Sequence, residues 1–473
     1  MLVREKKFYT TFLKLSAMMA MQNLLAFSVN LADNIMLGRY NETSLAAAAM
    51  VNQIQYLLQM ICIAGIGAGT VVMVAQYWGK GEVGPISRII ALAMKFAAGV
   101  GLVFFAITFF LPAGVLGIFT NDASVASEGV IYLSVMCFTY LVFPLTSVLV
   151  TSLRGVRVVL LGTVVSVFTL LVSVTLNYML IFGNWGAPEM GIKGAAIGTL
   201  TARLVELAIV LVYVTFFERK LRLKPYKFFK PDAYYLFDWI KVALPVMLSG
   251  VSWGIGMMLQ VVILGHLSKS IVAANSIATT VYQVITCFAF GQVSTSNVMI
   301  GNMIGAGRLD QVRPYARTLQ LLYIASGIVT GLALLVLRDF ILSIYILEPD
   351  TWALAHSFMS LLVIVAVFAS YQYPCASGIV LGGGNTKYPV IIETSFIWLC
   401  VLPLSALSAF VWQFPPIITF LFLKSDQFLK CIPNGIVVNR YRWVRILTKE
   451  SQTGDKTGDK TEDKSEDKTG KDS

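Results

Sequence analysis

Long apolar runs recur along almost the whole chain, each about twenty residues or more, separated by short polar turns. A helix of that length crosses a hydrocarbon core of about 30 Å. About twelve runs stand out, near residues 12–37, 45–77, 86–111, 126–151, 158–182, 190–216, 237–265, 271–303, 312–337, 352–380, 387–410 and 412–433. The pattern predicts an all-α integral membrane protein with twelve transmembrane helices. The first run is too long for a cleavable signal peptide and has no small-residue cleavage site, so it is expected to be a span.

The longest polar interruption, "FFERKLRLKPYKFFKPDAYYLFDW" (216–239), divides the spans six and six. The two halves echo one another. "DNIMLGRYNETSLAAAAMVNQI" (33–54) aligns at one constant offset with "QVVILGHLSKSIVAANSIATTV" (260–281), pairing Gly38 with Gly265. "AQYWGKGE" (75–82) matches "GNMIGAGR" (301–308), so Gly79 and Gly81 pair with Gly305 and Gly307, and Pro144 falls opposite Pro374. Six spans per half make the repeat parallel: two six-helix lobes related by a pseudo-two-fold axis along the membrane normal, with substrate between them. The expected boundaries are a cytoplasmic N-terminus (1–11), a first lobe (12–216), a basic linker (217–236), a second lobe (237–445) and a charged tail (446–473). The tail, "TGDKTGDKTEDKSEDKTGKDS" at its end, lacks apolar residues and is expected to be disordered.

Composition agrees: 57% of residues are hydrophobic and 13% charged, where a soluble domain has roughly a quarter charged. The net charge of +11 is placed unevenly. Arg4, Lys6, Lys7, Lys80, Arg88, Arg154, Arg157, the linker cations Arg219, Lys220, Arg222, Lys224, Lys227 and Lys230, and Arg308, Arg313, Arg317, Arg440, Arg442 and Arg445 all fall on one side if the spans alternate. The other side holds Arg39, Lys193, Lys269 and Arg338. The positive-inside rule then puts both termini in the cytoplasm of a multi-pass cell-membrane protein. The basic excess reads as a topology signal and a contact for anionic lipid, not for nucleic acid. Six cysteines are scattered singly and imply neither disulfides nor zinc. The two histidines, His266 and His356, lie far apart with no carboxylates at ligand spacing, so neither a metal site nor an enzyme is expected.

Candidate chemistry centres on "NLADNIMLG" (30–38), near the end of the first run. A charge inside a bilayer costs about 2.5–3.5 kcal/mol, so it usually faces a cavity or a partner. Asn30, Asp33 and Asn34 occupy i, i+3 and i+4 and form one polar patch, to which Asn52 and Gln53 of the next span are within reach to bond. Low dielectric favours the neutral carboxyl and the patch holds no Lys or Arg, so proton exchange near physiological pH is expected. The repeat pairs Asp33 with Gln260, confining coupling to the first lobe. The competing reading is a polar cluster that only holds helices together.

Other intramembrane acids read differently. Glu206 follows Arg203 by three residues and is expected to form a structural ion pair, while Glu393, about a turn and a half from Lys387, is expected to snorkel. "GIGAGT" (65–70) lacks a preceding strand and reads as close helix packing. "GGGNT" (382–386) reads as a turn, and the sequon Asn41-Glu42-Thr43 lies too near a helix end to weigh.

"ADNIMLGRYNETSLAAAAMVNQI", "VAQYWGKGE", "LNYMLIFGNWGAPEMGIKGAAIGTLTAR" (176–203), "GNMIGAGRLDQVRPYAR" and "KSDQFLKCIPNGIVVNRYRW" occur in the order and spacing of the multidrug and toxic compound extrusion (MATE) transporters. Over nearly all of 10–445 the chain resembles that family. The resemblance implies two six-helix lobes, a central cleft, and efflux of organic, often cationic, compounds driven by a proton or sodium gradient, with no resident cofactor. It places the first-helix acid at Asp33, a fifth-helix Asn at Asn177 and a sixth-helix Thr at Thr199. It also marks departures: Ile181, Trp253 and "FASYQYP" (368–374) stand where some members carry further acids, which argues against a several-carboxylate sodium site in the second lobe.

Trp253, Met257, Gln260, Tyr282 and Gln283, with Met258, Phe288 and Phe290 nearby, form a candidate cargo surface, since Met repacks easily and aromatic faces attract cations; plain helix packing is the competing account. A monomer is expected. The alternatives are sodium-coupled efflux and a lipid-linked saccharide flippase, which needs basic residues for pyrophosphate where these mid-span segments offer Arg203 almost alone.

Overall fold

In a computed structural model of the protein, the described residues are 2–119, 122–218, 221, 234–265, 269–343 and 348–448. The linker cations lie outside them, as do His266 and the tail from residue 449. Among the described residues eleven helices are long and apolar enough to cross a membrane. In the first lobe these are α1 (Lys6–Tyr40), α2 (Thr43–Lys80), α3 (Val83–Phe110), α4 (Ala123–Arg154), α5 (Leu160–Phe182) and α6 (Gly191–Phe217). The second lobe has α7 (Leu236–Gly265), α8 (Lys269–Gly305), α9 (Leu309–Ser343), α10 (Pro349–Val380) and α11 (Lys387–Val411). The twelfth segment, α12, is helical in three pieces, Pro416–Leu423, Ser425–Leu429 and Cys431–Arg440, interrupted at Lys424 and Lys430. Exposed residues such as Val336 (78%) and Leu399 (79%) suit lipid rather than water on the outer face.

The interface between the lobes has two-fold logic. α1 packs on α8, α2 on α7, and α2 on α8. Exchanging α1 with α7 and α2 with α8 maps the first pairing onto the second and leaves the third unchanged. The glycines matched in the sequence sit at that third crossing. A Cβ on Gly79 would fall 2.0 Å from the Asn302 carbonyl oxygen, and one on Gly305 would fall 1.8 Å from that of Gln76. Gly81 and Gly307 then end their helices with φ of +84° and +73°, left-handed conformations that suit glycine. Each lobe also lends its first helix to the other's core: Phe8 and Phe12 of α1 pack with Met299, Ile304 and Tyr323, while Trp239, Val242 and Ala243 of α7 join the first lobe's cluster.

These contacts lie toward the side that carries both chain ends, here called the terminal side. Trp239 Nε1 donates to Thr70 Oγ1 (2.9 Å), Gly69 abuts Ala243 and Gly65 abuts Met247. The "GIGAGT" glycines therefore serve close helix packing. Both ends are drawn to the start of α9, where the Val3 amide donates to Thr318 Oγ1 (3.0 Å) and the Arg313 guanidinium lies 4.9 Å from the Tyr441 ring. α1 begins at Lys6 rather than near residue 12, and contacts with the first lobe continue past 445. Gln76 Nε2 donates to the Arg445 carbonyl (3.0 Å), its Oε1 accepts from the Leu447 amide (2.7 Å), and the Arg445 amide donates to the Gly383 carbonyl (2.8 Å). Asn41 Oδ1 caps α2 by accepting from the Thr43 amide (2.9 Å).

Candidate ion-coupling site

Asp33 is 8% exposed, in the half of α1 away from the terminal side. α5 presents Ser173 and Asn177 one turn apart, and both donate to the same carboxylate oxygen: Asn177 Nδ2 to Oδ1 at 2.6 Å and Ser173 Oγ to Oδ1 at 3.4 Å. Asn177 reaches Asp33 because α6 carries no side chain at Gly198, where a Cβ would fall 2.1 Å from Asn177 Oδ1. Asp33 lines a cavity of about 20 Å³ together with Asn30, Asn52, Gln55, Thr199 and Arg203, closed on the α4 side by Tyr132, Met136 and Thr139. That is room for about one water molecule.

Arg203 also lines a second cavity, of about 50 Å³, with Ser166, Thr169 and Glu206. Its Nη1 donates to Glu206 Oε2 at 2.7 Å, and its guanidinium carbon lies 5.0 Å from the Phe143 ring centre. The expected i, i+3 pair forms, and Arg203 adds a cation to the lining of the Asp33 cavity, beside a polar patch whose own residues include no Lys or Arg. Thr199, Arg203 and Glu206 follow one another at i, i+4 and i+7, which turns all three to one face of α6.

The profile of the MatE family matches the chain twice, over residues 19–179 and 245–407, once in each lobe. The chain belongs to the MATE family. It is 24% identical over 389 residues to a probable multidrug resistance protein NorM of Thermotoga maritima, covering 81% of this chain and 82% of that one. It is also 24% identical over 384 residues to the uncharacterized transporter YisQ of Bacillus subtilis, covering 80% and 82%. Among solved structures, the outward-facing conformation of a multidrug resistance MATE family transporter superposes with a TM-score of 0.83 at 14% identity, over 93% of this chain and 98% of that one. That likeness concerns the fold: two lobes of the MATE type.

Around Asp33 this MATE chain brings Asn30, Asn177 and Thr199 together, and leaves two expected partners outside. Asn34 and Gln53 are exposed and do not line the cavity. A helical step of 100° turns each of them away, and Gln55, at i+3 from Asn52, takes the place expected for Gln53. The candidate cargo residues fall into different surroundings. Trp253 packs on the apolar cluster of Ile263, Ile397, Leu402 and Ala409; Gln260 is buried; Met257 is half-buried; Gln283 is exposed. Tyr282 is buried with its ring 5.0 Å from Lys424 Nζ.

The second lobe holds charges that the sequence reading missed. Lys430 is fully buried between Glu393 Oε2 (2.5 Å) and Asp426 Oδ2 (3.0 Å). Glu393 is 7% exposed, so it does not snorkel beside Lys387; its partner lies 37 positions away on α12. Gln427 Nε2 donates to Asp426 Oδ2 (2.8 Å) and to Tyr373 Oη (3.3 Å). Lys424 is 7% exposed and packs over the Tyr282 and Phe420 rings. Basic side chains inside the spans are therefore not limited to Arg203. The signal that was available is the pair of lysines flanking "SDQFL" in an otherwise apolar final run. Among the described residues no cluster of three or more His, Cys, Asp or Glu has metal-binding geometry.

Proposed function

We propose that this MATE transporter exports small organic compounds, cationic ones among them, in exchange for protons, by alternating access, with Asp33 as the coupling carboxylate. The observation that carries the reading is a buried carboxylate with two donors on one oxygen, lining a cavity large enough for a water molecule in the half of α1 away from the terminal side. The names of the relatives, probable multidrug resistance proteins, support drug-like cargo. The run of cations on one side of the alternating spans supports a cytoplasmic terminal side in the cell membrane. On that orientation, a proton entering from outside meets Asp33 without crossing the contacts that pack the lobes together on the terminal side.

The cycle follows from the two protonation states. With its proton, Asp33 is a neutral group bonded to Asn177 and Ser173. Without it, the carboxylate attracts cationic cargo and draws polar groups toward itself. The two states bias the packing of α1, α5 and α6 differently, and a bistable lobe interface turns that bias into a change of access. Protein, cargo and protons complete the cycle, with no resident cofactor, and one chain carries both lobes.

The test is accumulation of ethidium in cells expressing the protein, with and without a protonophore and with sodium replaced by choline. Lower accumulation that the protonophore abolishes and sodium replacement leaves unchanged is expected. Equal accumulation with and without the protein would remove the export reading, and loss of export on sodium replacement would assign the gradient to sodium.

A further inference from the structure

We propose that Arg203 determines which ion the Asp33 site accepts: it is a tethered cation shared between Asp33 and Glu206 that leaves a place for a proton and excludes sodium. The inference rests on Asp33 being the coupling residue. Arg203 lines both the Asp33 cavity and the neighbouring one that holds its partner Glu206. Among the described residues that line the Asp33 cavity or bond to Asp33, Arg203 is the one other charged group: Tyr132 comes from α4, Ser173 and Asn177 from α5, Asn52 and Gln55 from α2. Two carboxylates therefore share one cation, and the group is one positive charge short of balance.

A proton makes up that charge by forming a single O–H bond and needs no other ligand. A sodium ion needs several oxygen ligands around it, in a cavity of about 20 Å³ that already has Arg203 among its lining residues. The same-sign charge repels it, and the space beside Asp33 holds about one water rather than a hydrated ion.

The second lobe supplies an internal control. The sixth helix of each lobe carries a cation beside carboxylates: Arg203 of α6 with Glu206, and Lys430 of α12 with Glu393 and Asp426. In the second lobe Lys430 and Lys424 together match Glu393 and Asp426 in number, and the position of Asp33 is an amide. Nothing in that group calls for an ion from solution, whereas the group of Asp33, Arg203 and Glu206 lacks one charge.

The test uses full-length protein in proteoliposomes, with ethidium as cargo, a fixed pH gradient, and sodium or choline outside. Wild type is expected to be indifferent to sodium. Arg203→Gln is expected to become sodium-responsive by severalfold and to bind ²²Na⁺, whereas Arg203→Lys keeps the wild-type indifference. The double variant Arg203→Gln/Glu206→Gln removes the ion pair whole, guards against misfolding, and is expected to respond to sodium as well, because the tethered cation is gone. A folded Arg203→Gln or double variant that ignores sodium, or a wild type that requires it, overturns the proposal. Gradient-driven transport by Asp33→Asn in the wild-type background would instead show that the Asp33 reading itself has failed.

Discussion

The two lobes share a fold and a lobe interface but differ in how their buried charges are closed. In the first, Arg203 pairs with Glu206 and also lines the cavity of Asp33, whose hydrogen bonds come from neutral donors. In the second, Lys430 is fully buried between two carboxylates, with Lys424 as a second cation on the same segment. Duplication supplies the framework; a few side chains decide that one copy has an open charge balance and the other a closed one. The open copy has room to change state, and the closed one is suited to hold its helices in one arrangement. Buried ion pairs confer little net stability against apolar replacements, yet breaking one is costly.

The sharpest way to break this contrast is Asp33→Asn, which is expected to abolish gradient-driven ethidium efflux, while Gln260→Ala at the equivalent position keeps a measurable part. Equal losses in efflux rate from the two changes would remove the asymmetry. Next in size, Lys430→Met leaves Glu393 and Asp426 without their shared cation and is expected to cost about 3–5 kcal/mol, read as a lowered melting temperature in detergent. Adding Glu393→Gln and Asp426→Asn is expected to restore most of it; a melting temperature unchanged by Lys430→Met would mean the triad carries no stability.

Gly198→Ala is expected to push the Asn177 amide off Asp33, costing about 1–3 kcal/mol through overpacking and slowing transport severalfold. Gly79→Ala and Gly305→Ala test the shared framework: both add a methyl against backbone at the same crossing, so similar falls in melting temperature are expected, and unequal ones would contradict the two-fold interface. The smallest effects are expected from Asn34→Ala and Gln53→Ala, whose transport rates should stay near wild type while Gln55→Ala lowers the rate. A loss at Gln53 matching that at Gln55 would show the cavity assignment to be wrong.

Much of the fold was legible because it is periodic. Apolar runs longer than a bilayer is thick, the split six and six, and the Gly79/Gly305 match all belong to sequence pattern, and the last proved to be a reciprocal close contact. Asp33 stood out because an acid in an apolar helix is rare and expensive. The rest depends on tertiary geometry. Nothing local to Glu393 indicates Lys430, and the interruptions at Lys424 and Lys430 hide in a segment that reads as one apolar run. Arg203 was read through its i+3 neighbour, although its i−4 neighbour Thr199 points into the same cavity as Asp33. Whether Gln53 or Gln55 joins Asn52 beside Asp33 depends on where the lobe's centre lies, which the sequence of α2 alone does not give.

The most direct measurement of the asymmetry is proton release on cargo binding, made with purified protein in weakly buffered detergent solution and a pH indicator dye. Wild type is expected to release protons when ethidium binds, Gln260→Ala to do the same, and Asp33→Asn to release none while still binding ethidium weakly. Release from the Asn variant equal to that of wild type would place the exchanging proton elsewhere and contradict the assignment of coupling to the first lobe.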